Sequence, residues 1–427
     1  MRFSLSRSPQ RRSRPTRRVS HGVGFWLVAY SFTVVMALSA LPTPLYVLYA
    51  ARDGFSTLMI TVVFAAYAAG VLASLVLAGH ISDWYGRRRI LIPATATAAV
   101  AAAVFMASPS LPALIAGRTL SGLAVGMVTT TATAHLGDLH NRRRPGSAPQ
   151  KAQLVAVAAN LGGIGLGPLV SGLLAQFVPH PLVVPYVVFE VLLVVAVLAF
   201  VVIPETAMAP DSPVRYRPQH IAVPPEARGR FVWAAAGGFV VFAIFGLFTS
   251  VAPSFLAESL HDPSHALAGA VTFAVFAAAA LSQIALRTLS VRQALVVGRL
   301  VAPVGLGLLA AGAWAASLTM FISGSITIGA GAGLLFKGML STSIEVAPAR
   351  SRAEVLAAFF VAAYLGLTIP VVTIGALRSV LSAQVITVGF AAIAIALILP
   401  VTSALIDHSG PARLTRRPPG RPVSEAA

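Results

Sequence analysis

Residues 79–89 read Gly-His-Ile-Ser-Asp-Trp-Tyr-Gly-Arg-Arg-Arg, and this stretch decides the fold. It separates two apolar runs, each about 20 residues long and so able to cross a bilayer as a helix. Gly79 and Asp83 are four residues apart and share one helix face, where a neighbouring helix can approach and offer amides or arginines to the carboxylate. The arginines that follow favour the cytoplasmic side of a membrane. The stretch therefore predicts a cytoplasmic link between two transmembrane helices.

The rest of the chain has the composition of a membrane protein. Hydrophobic residues make up 57% of its 427 residues and charged residues 10%, whereas a soluble domain has about 25% charged residues. We predict an all-α membrane protein with twelve transmembrane helices. Their predicted positions are residues 24–49, 57–79, 90–108, 111–136, 152–178, 182–203, 231–256, 265–286, 293–315, 317–345, 353–377 and 383–406.

The basic residues support this count because they collect on alternate loops. Of the 31 Lys and Arg residues, 26 fall on one side of the predicted arrangement, together with both chain ends. The positive-inside rule places that side in the cytoplasm. A net charge of +18 raises nucleic acid as a partner, but charges confined to links between apolar runs indicate membrane lipids instead. We expect a multi-pass protein of the cell membrane (inner or plasma membrane) that does not bind nucleic acid.

The predicted helices fall into two groups of six that look like repeats of each other. The fourth and tenth helices share a glycine spacing, Gly117, Gly122 and Gly126 against Gly324, Gly329 and Gly333. Such repeats predict two pseudo-symmetric bundles around an axis along the membrane normal. We divide the chain into a basic cytoplasmic arm (1–21), an N-terminal bundle (22–206), a cytoplasmic central loop (207–230), a C-terminal bundle (231–406) and a cytoplasmic tail (407–427).

The stretch at 79–89 resembles the signature loop of the major facilitator superfamily (MFS), although Trp84 stands where the family usually has Arg. The resemblance extends to Arg118-x-x-x-Gly122, to Pro-Glu-Thr at 204–206 and to the twelve-helix layout. It implies the MFS fold and transport by alternating access. It also implies that a set of residues braces the bundles during gating: Gly79, Asp83, Gly86, Arg87, Arg88 and Asp138.

The fifth predicted helix carries a stripe of small residues. Gly163, Gly167 and Ser171 lie on one face, Pro168 bends the helix, and Gly172 follows. We expect this stripe to make close, sliding contact with the other bundle. The pattern resembles the fifth-helix motif of antiporters that export solutes, drug exporters in particular. The alternative is ordinary packing of small residues between membrane helices.

Ionisable residues inside membrane helices mark functional sites, because they are costly in hydrocarbon. Arg118 resembles the fourth-helix arginine that the family links to proton coupling, and we expect it to face the substrate cavity. Glu190 is the predicted proton carrier, since a carboxyl in a low dielectric can exchange protons near neutral pH; alternatively it is satisfied by a neighbouring helix or points outward. Lys337 is a second cavity candidate and would favour an anionic or zwitterionic substrate. Its alternative is an ion pair with Glu345 or an outward orientation.

Three further residues complete the predicted cavity. Ser121 lies one helical turn after Arg118, and Phe242 and Phe245 belong to a stripe in which phenylalanine recurs every third residue from 239 to 248. We predict that part of this stripe lines an aromatic pocket. For most of the stripe the pattern favours packing against lipid.

The sequence also excludes several kinds of chemistry. It has no cysteine, no Gly-Lys dipeptide of a P-loop, and neither a His-Glu-x-x-His nor a Gly-x-Ser-x-Gly motif. We therefore predict no enzyme, no cofactor and no metal site.

The predicted function is secondary active transport, namely proton-coupled export of a small hydrophobic or amphipathic compound such as a drug or secondary metabolite. The expected partners are that substrate, protons and membrane lipids, and the expected state is a monomer. The first helix lacks the acidic residue that many proton-driven exporters carry. Proton symport or facilitated import of a sugar or organic acid therefore stays open, and a receptor that transports nothing is a third alternative.

Overall fold

The structure is a computed structural model that describes residues 18–78, 85–207, 223–251, 253, 256, 264–348 and 351–407. The described residues contain twelve helices that are long and apolar enough to cross a membrane, and no strand. The prediction of an all-α protein with twelve spans is confirmed. In chain order the helices are α1 (His21–Asp53), α2 (Thr57–Ala78), α3 (Arg87–Ala107), α4 (Leu111–Arg143), α5 (Gln150–Phe177), α6 (Val184–Val202), α7 (Pro225–Ser250), α8 (His265–Ala285), α9 (Val291–Trp314), α10 (Leu318–Val346), α11 (Arg352–Leu377) and α12 (Ala383–Asp407).

The helices pack as two bundles of six with matching neighbours. In the first bundle α1 contacts α4, α5 and α6, and in the second α7 contacts α10, α11 and α12. The outer helices α3, α6, α9 and α12 pack on their own bundles. Between the bundles the main contacts pair α2 with α11 and α5 with α8. In the repeat α2 is equivalent to α8 and α5 to α11, so the two contacts are equivalent to each other. The pseudo-symmetry predicted from the glycine spacing is therefore confirmed.

Glycines at the repeated positions allow backbone to approach backbone. A Cβ added at Gly122 in α4 would lie 3.0 Å from the Tyr67 carbonyl carbon in α2. At the equivalent Gly329 in α10, a Cβ would lie 2.9 Å from the Cα of Val275 in α8. No side chain fits at these two crossings. The glycine repeat is therefore a packing requirement of each bundle.

The first helix is interrupted in the middle. An α-helical part, His21–Ala40, is followed by one 3₁₀ turn at Thr43–Leu45 and a second helical part, Tyr46–Asp53. Pro42 and Pro44 have no N–H group, so the helix cannot continue its hydrogen-bond ladder through them. The last carbonyl groups of the first part are left without helical partners. They are free to accept from other helices.

The equivalent helix α7 is also irregular, and the two irregular segments meet. Residues Leu247–Val251 form a π turn, in which the ladder is again displaced. The Thr43 hydroxyl of α1 donates to the carbonyl of Thr249 at 3.0 Å, and the Thr272 hydroxyl of α8 donates to that of Phe248 at 3.2 Å. One of these bonds joins the bundles. The two threonine hydroxyls thus donate hydrogen bonds to carbonyls that the π turn leaves available.

The two ends of the helical assembly differ in charge. We call the end with the α2–α3, α4–α5 and α8–α9 links the basic end, since it carries arginines at 87–89, 142–144, 287 and 292. The opposite end carries only Arg52 and Arg378 among the described Lys and Arg residues of its links. The assignment of the basic end to the cytoplasm stays a prediction.

Candidate functional site

Arg118 lies two turns into α4 and is 2% exposed. One of its N–H groups donates to the carbonyl of Ser39, which is free because the first part of α1 ends one residue later. Its guanidinium carbon lies 4.5 Å from the ring centroid of Tyr67 and 5.4 Å from that of Phe64 in α2. Among the described residues, no carboxylate pairs with it, and its Nε has no hydrogen-bond partner. A buried cation is thus held by one carbonyl and two aromatic faces.

Two buried hydroxyl groups near this arginine also have hydrogen-bonding capacity to spare. Ser121, 1% exposed, follows Arg118 by three residues on the same face of α4. Tyr46 is 2% exposed, and the charge of Arg118 acts on its hydroxyl. Neither hydroxyl has a partner among the described residues. Buried polar groups are nearly always paired, so the surroundings of Arg118 can accommodate a further polar group.

A chain of aromatic rings leads from Arg118 into the other bundle. We call it the aromatic bridge, and it consists of Tyr67, Tyr364, Phe242, Phe336, Phe245 and Phe276. The centroid of Tyr67 in α2 lies 6.5 Å from that of Tyr364 in α11, which lies 5.3 Å from that of Phe242 in α7. Phe245 then stacks on Phe276 of α8 at 4.9 Å. Five helices of both bundles thus contribute to one aromatic surface.

This placement changes one expectation about the phenylalanine stripe of α7. Phe245 is 5% exposed and Phe248 is 0% exposed, while Phe239 and Phe242 are partly buried against the core. The expectation that most of the stripe faces lipid is wrong. α7 contacts α10, α11 and α12, and a three-residue repeat drifts about half-way around the helix from Phe239 to Phe248, so the stripe meets several protein neighbours.

Lys337 lies away from Arg118, and its predicted place in a substrate cavity is not supported. Its Nζ donates to the carbonyls of Leu286, Arg287 and Leu289, at 3.2, 3.3 and 3.5 Å. These carbonyls follow the last residue of α8, where a helix end is rich in unpaired acceptors and favours a positive charge. The lysine therefore fastens α8 to α10 at the basic end. The alternative of a pair with Glu345 also fails, because that carboxylate contacts Arg230 at 3.9 Å.

Glu190 lies in α6, an outer helix that packs on α1 and α3. Its Oε2 atom is buried and has no hydrogen-bond partner among the described residues. The structure does not bring Glu190 into contact with Arg118: none of the ion pairs between described residues contains it. Its role as a proton carrier stays a prediction.

The small residues of α5 face in two directions. A Cβ added at Gly163 would lie 2.8 Å from the Thr33 carbonyl oxygen in α1, and the Ser171 hydroxyl donates to the Leu41 carbonyl at 2.7 Å. The stripe of Gly163, Gly167 and Ser171 therefore packs inside its own bundle, and the expectation that it contacts the other bundle is wrong.

The opposite face of α5 makes the contact between bundles. A Cβ added at Gly165 would lie 3.2 Å from Phe276 in α8, and one added at Gly172 would lie 3.2 Å from the His265 carbonyl carbon. The Pro168 carbonyl approaches Gly269. Positions two residues apart on a helix point about 200° away from each other. Gly163 therefore packs against α1 and Gly165 against α8.

Part of the predicted gating set gathers at the basic end around Glu205. This carboxylate accepts from the backbone N–H groups of Arg87 (2.8 Å), Arg88 (3.1 Å), Thr206 (3.0 Å) and Ala207 (3.1 Å). Gly86 has φ +106°, and a Cβ there would lie 2.6 Å from a Glu205 carboxylate oxygen. Burial raises the pKa of Glu205, but the backbone donors outweigh it and hold the pKa below its ordinary value.

Asp138 joins the same network. Its Oδ2 atom lies 3.4 Å from the Nε of Arg87 and accepts from the Thr206 hydroxyl at 3.0 Å. Gly79 and Asp83 lie outside the described residues. Glu205 was not among the predicted site residues, although it belongs to the Pro-Glu-Thr string that follows the sixth helix.

Comparisons with known proteins give a family and a fold. The family model described as Major Facilitator Superfamily matches residues 23–371. The MFS efflux transporter aclA of Aspergillus oryzae is 30% identical over 175 residues, which are 39% of this chain and 30% of that protein. The chain thus spans less than a third of the length of this curated relative.

Solved structures of transporters superpose over most of the chain. A POT family transporter in complex with 5-aminolevulinic acid has a TM-score of 0.73 at 13% identity, and the superposition covers 91% of this chain and 96% of the transporter's chain. The nucleoside transporter NupG has a TM-score of 0.69 at 11% identity, with 89% and 99% covered. The human organic anion transporter MFSD10 (TETRAN) has a TM-score of 0.63 at 17% identity, with 91% and 100% covered. At these identities the likeness concerns the fold alone.

Proposed function

Because this chain belongs to the Major Facilitator Superfamily and is a membrane transporter, we propose that it exports a small hydrophobic or amphipathic compound in exchange for protons. The observation that carries the proposal is the aromatic bridge between the two bundles with Arg118 at its end. A substrate bound there touches both bundles. Alternating access requires such a position, because the bundles rock around the bound substrate.

The contacts between the bundles support rocking. Gly172 and Gly375 meet the other bundle at the His265 backbone and the small side chain of Thr61. Helices that meet through small residues approach closely and separate without unthreading large side chains. We propose that the α5–α8 and α2–α11 contacts break and re-form during transport.

Two features favour export over import. The first is the partial similarity to a protein named as an MFS efflux transporter. The second is the small-residue motif of α5, which resembles that of exporting antiporters.

For coupling, we propose Glu190 as the proton carrier. It is the one Asp or Glu in the apolar interior of the twelve predicted spans, and it has a buried oxygen without a partner among the described residues. The test uses proteoliposomes with an imposed proton gradient and an internal pH dye, to which candidate compounds are added. Compound-driven proton flux should be lost in Glu190→Gln and kept in Glu226→Gln, which removes an exposed carboxylate at the start of α7.

Proton flux that persists in Glu190→Gln contradicts this choice of carrier. Compound movement that ignores the proton gradient contradicts antiport, and concentrative uptake contradicts export. The three parts of the proposal therefore fail separately.

The proposed placement is the cell membrane, with both termini in the cytoplasm and a monomer as the unit. The chain contains no cysteine, so single cysteines report on sidedness without background. A membrane-impermeant maleimide should label Ser382→Cys, at the opposite end, in intact cells. It should label Ala148→Cys, at the basic end, only after permeabilisation, and the reverse pattern contradicts the orientation.

A further inference from the structure

We infer that the substrate is an aromatic or otherwise planar apolar compound with a single negative charge, bound with its anionic group at Arg118 and its ring on the aromatic bridge. The inference rests on the proposed transport function and adds the chemical class of the substrate. Two observations carry it: Arg118 has no carboxylate partner among the described residues, and aromatic side chains extend from it.

The helices around the site carry their acidic residues only near their ends. In α4, α10 and α11 these residues lie at the basic end, at Asp138, Glu345 and Glu354, and in α1 only Asp53 occurs, at the opposite end. The sequence places no Asp or Glu in the apolar parts of α1, α2, α4, α5, α7, α8, α10 and α11. None of these eight helices therefore offers Arg118 a counter-charge at that depth, and Glu190 of the outer helix α6 forms no ion pair with it among the described residues. A buried charge without a partner is costly, and an anionic ligand removes that cost.

The free hydrogen-bonding groups have the right character for an anion. Arg118 has a buried Nε–H without a partner, and the hydroxyls of Ser121 and Tyr46 can both donate. A carboxylate or phenolate accepts several such bonds at once, and hydrogen bonds with a charged partner are the strong ones. A cationic ligand would meet the guanidinium instead and be repelled.

The rest of the ligand has to match the aromatic bridge. The ring of Tyr67 lies next to the guanidinium and contacts Tyr364, and Phe242, Phe245 and Phe336 extend the surface through the second bundle. Aromatic pairs add about 0.5–1.5 kcal/mol beyond burial of their area. A planar ring is therefore favoured over an aliphatic chain, which forms no aromatic pair.

A monoanionic substrate makes export sensitive to the membrane potential. When an anion leaves in exchange for an entering proton, two positive charges in effect move inward per cycle. Each charge that crosses 100 mV corresponds to a gradient of about 50-fold. An inside-negative potential should thus accelerate export strongly.

The first experiment compares isosteric probes on the purified wild-type protein. Binding of 2-naphthoate, 2-naphthamide and 2-naphthylmethylamine is measured by calorimetry in detergent, together with the same series on phenyl and indolyl rings. We expect the carboxylates to bind at least about tenfold more tightly than the amides, the equivalent of one charge-assisted hydrogen bond. The amines should bind most weakly. Absence of anion-selective binding across the panel overturns the inference.

The second experiment removes the charge. Arg118→Gln should abolish the preference for the carboxylate, Arg118→Lys should keep part of it, and Arg299→Gln, which removes a partly exposed arginine of the outer helix α9, should leave it unchanged. If Arg118→Gln does not fold, Ser121→Ala and Tyr46→Phe test the same site and should each weaken carboxylate binding. A preference that survives all of these changes overturns the assignment of the site.

The third experiment measures transport in proteoliposomes under a potassium diffusion potential set with valinomycin. Export of the preferred carboxylate should rise at negative potential. Transport that is equally fast for all three charge types overturns the inference and leaves the proposed function intact. Selective binding of the carboxylate without any transport overturns the proposed function and leaves only an anion-binding site at Arg118.

Discussion

We call the close contact of α1 with Gly163, Gly167 and Ser171 of α5 the seam. The effect of one substitution in it on stability can be estimated. A Cβ added at Gly167 would lie 2.8 Å from the Ala37 carbonyl carbon, and nearer still to its oxygen. Ordinary contact begins at 3.4 Å, so Gly167→Ala has to move the two backbones apart by at least 0.6 Å, the difference between these values. Backbone atoms cannot rotate away as a side chain does.

The separation has a cost that can be estimated. Overpacking a tight contact costs about 1–3 kcal/mol. The Ser171 hydroxyl, one turn further along the seam, is 2.7 Å from the Leu41 carbonyl, and loss of that hydrogen bond adds about 1 kcal/mol. We expect Gly167→Ala to lower the free energy of unfolding by about 2–4 kcal/mol.

The assay is reversible unfolding in mixed micelles with increasing mole fraction of dodecyl sulfate, followed by the fluorescence of the four tryptophans. The control is Gly162→Ala in the same helix, because a Cβ there meets nothing within 4 Å. The control should unfold within about 0.5 kcal/mol of the wild type, as surface-like changes do. If Gly167→Ala unfolds like the control, the reasoning about the seam is wrong.

Three further predictions follow from single contacts. Gly172→Ala brings a Cβ 3.2 Å from the His265 carbonyl carbon across the bundles, so its main effect should be a lower transport rate and not a lower free energy of unfolding. Gly389→Ala, with open space around the added Cβ, should change neither quantity. Lys337→Met should lower the free energy of unfolding by about 1–2 kcal/mol and leave probe binding unchanged. Loss of probe binding in this variant would indicate that the lysine does line the substrate cavity. Glu205→Gln should destabilise the basic end at neutral pH, and because the folded pKa of this carboxyl is depressed, its contribution is present above the ordinary pKa and lost as the pH falls through the folded value. The difference in stability between wild type and Glu205→Gln should therefore shrink in acid, and a difference that grows there contradicts the network.

Hydropathy and charge were enough to predict the twelve helices. A bilayer requires long apolar helices, and basic residues mark their alternate ends. The repeat was visible because the crossings at Gly122 and Gly329 need the same residue in both bundles. Arg118 was predicted as a site residue because a charge is costly in hydrocarbon and because it resembles the family's fourth-helix arginine, but its aromatic neighbours were not predicted.

What the sequence could not predict is the rotation of each helix about its axis. In a soluble protein the polar face of a helix marks the outside, but here both the lipid face and the protein face are apolar. The stripe from Gly163 to Ser171 was therefore assigned to the wrong partner, and the phenylalanines of α7 to the wrong surroundings. Lys337 was misplaced for a related reason, because nothing in its own helix shows that α8 ends beside it.

The attachment of Lys337 to the end of α8 has a mechanical consequence. Lys337 fixes that end of α8 through hydrogen bonds to three carbonyls. The other end of this 21-residue helix is held by the His265 N–H, which donates to the Gln176 side chain at 3.0 Å. A helix of this length is about 30 Å long, so a tilt of about 10° around the fixed end displaces His265 by about 5 Å. That displacement is wider than a water molecule. Such a tilt, with the anchor at Lys337 unchanged, would separate α8 from α5 at His265.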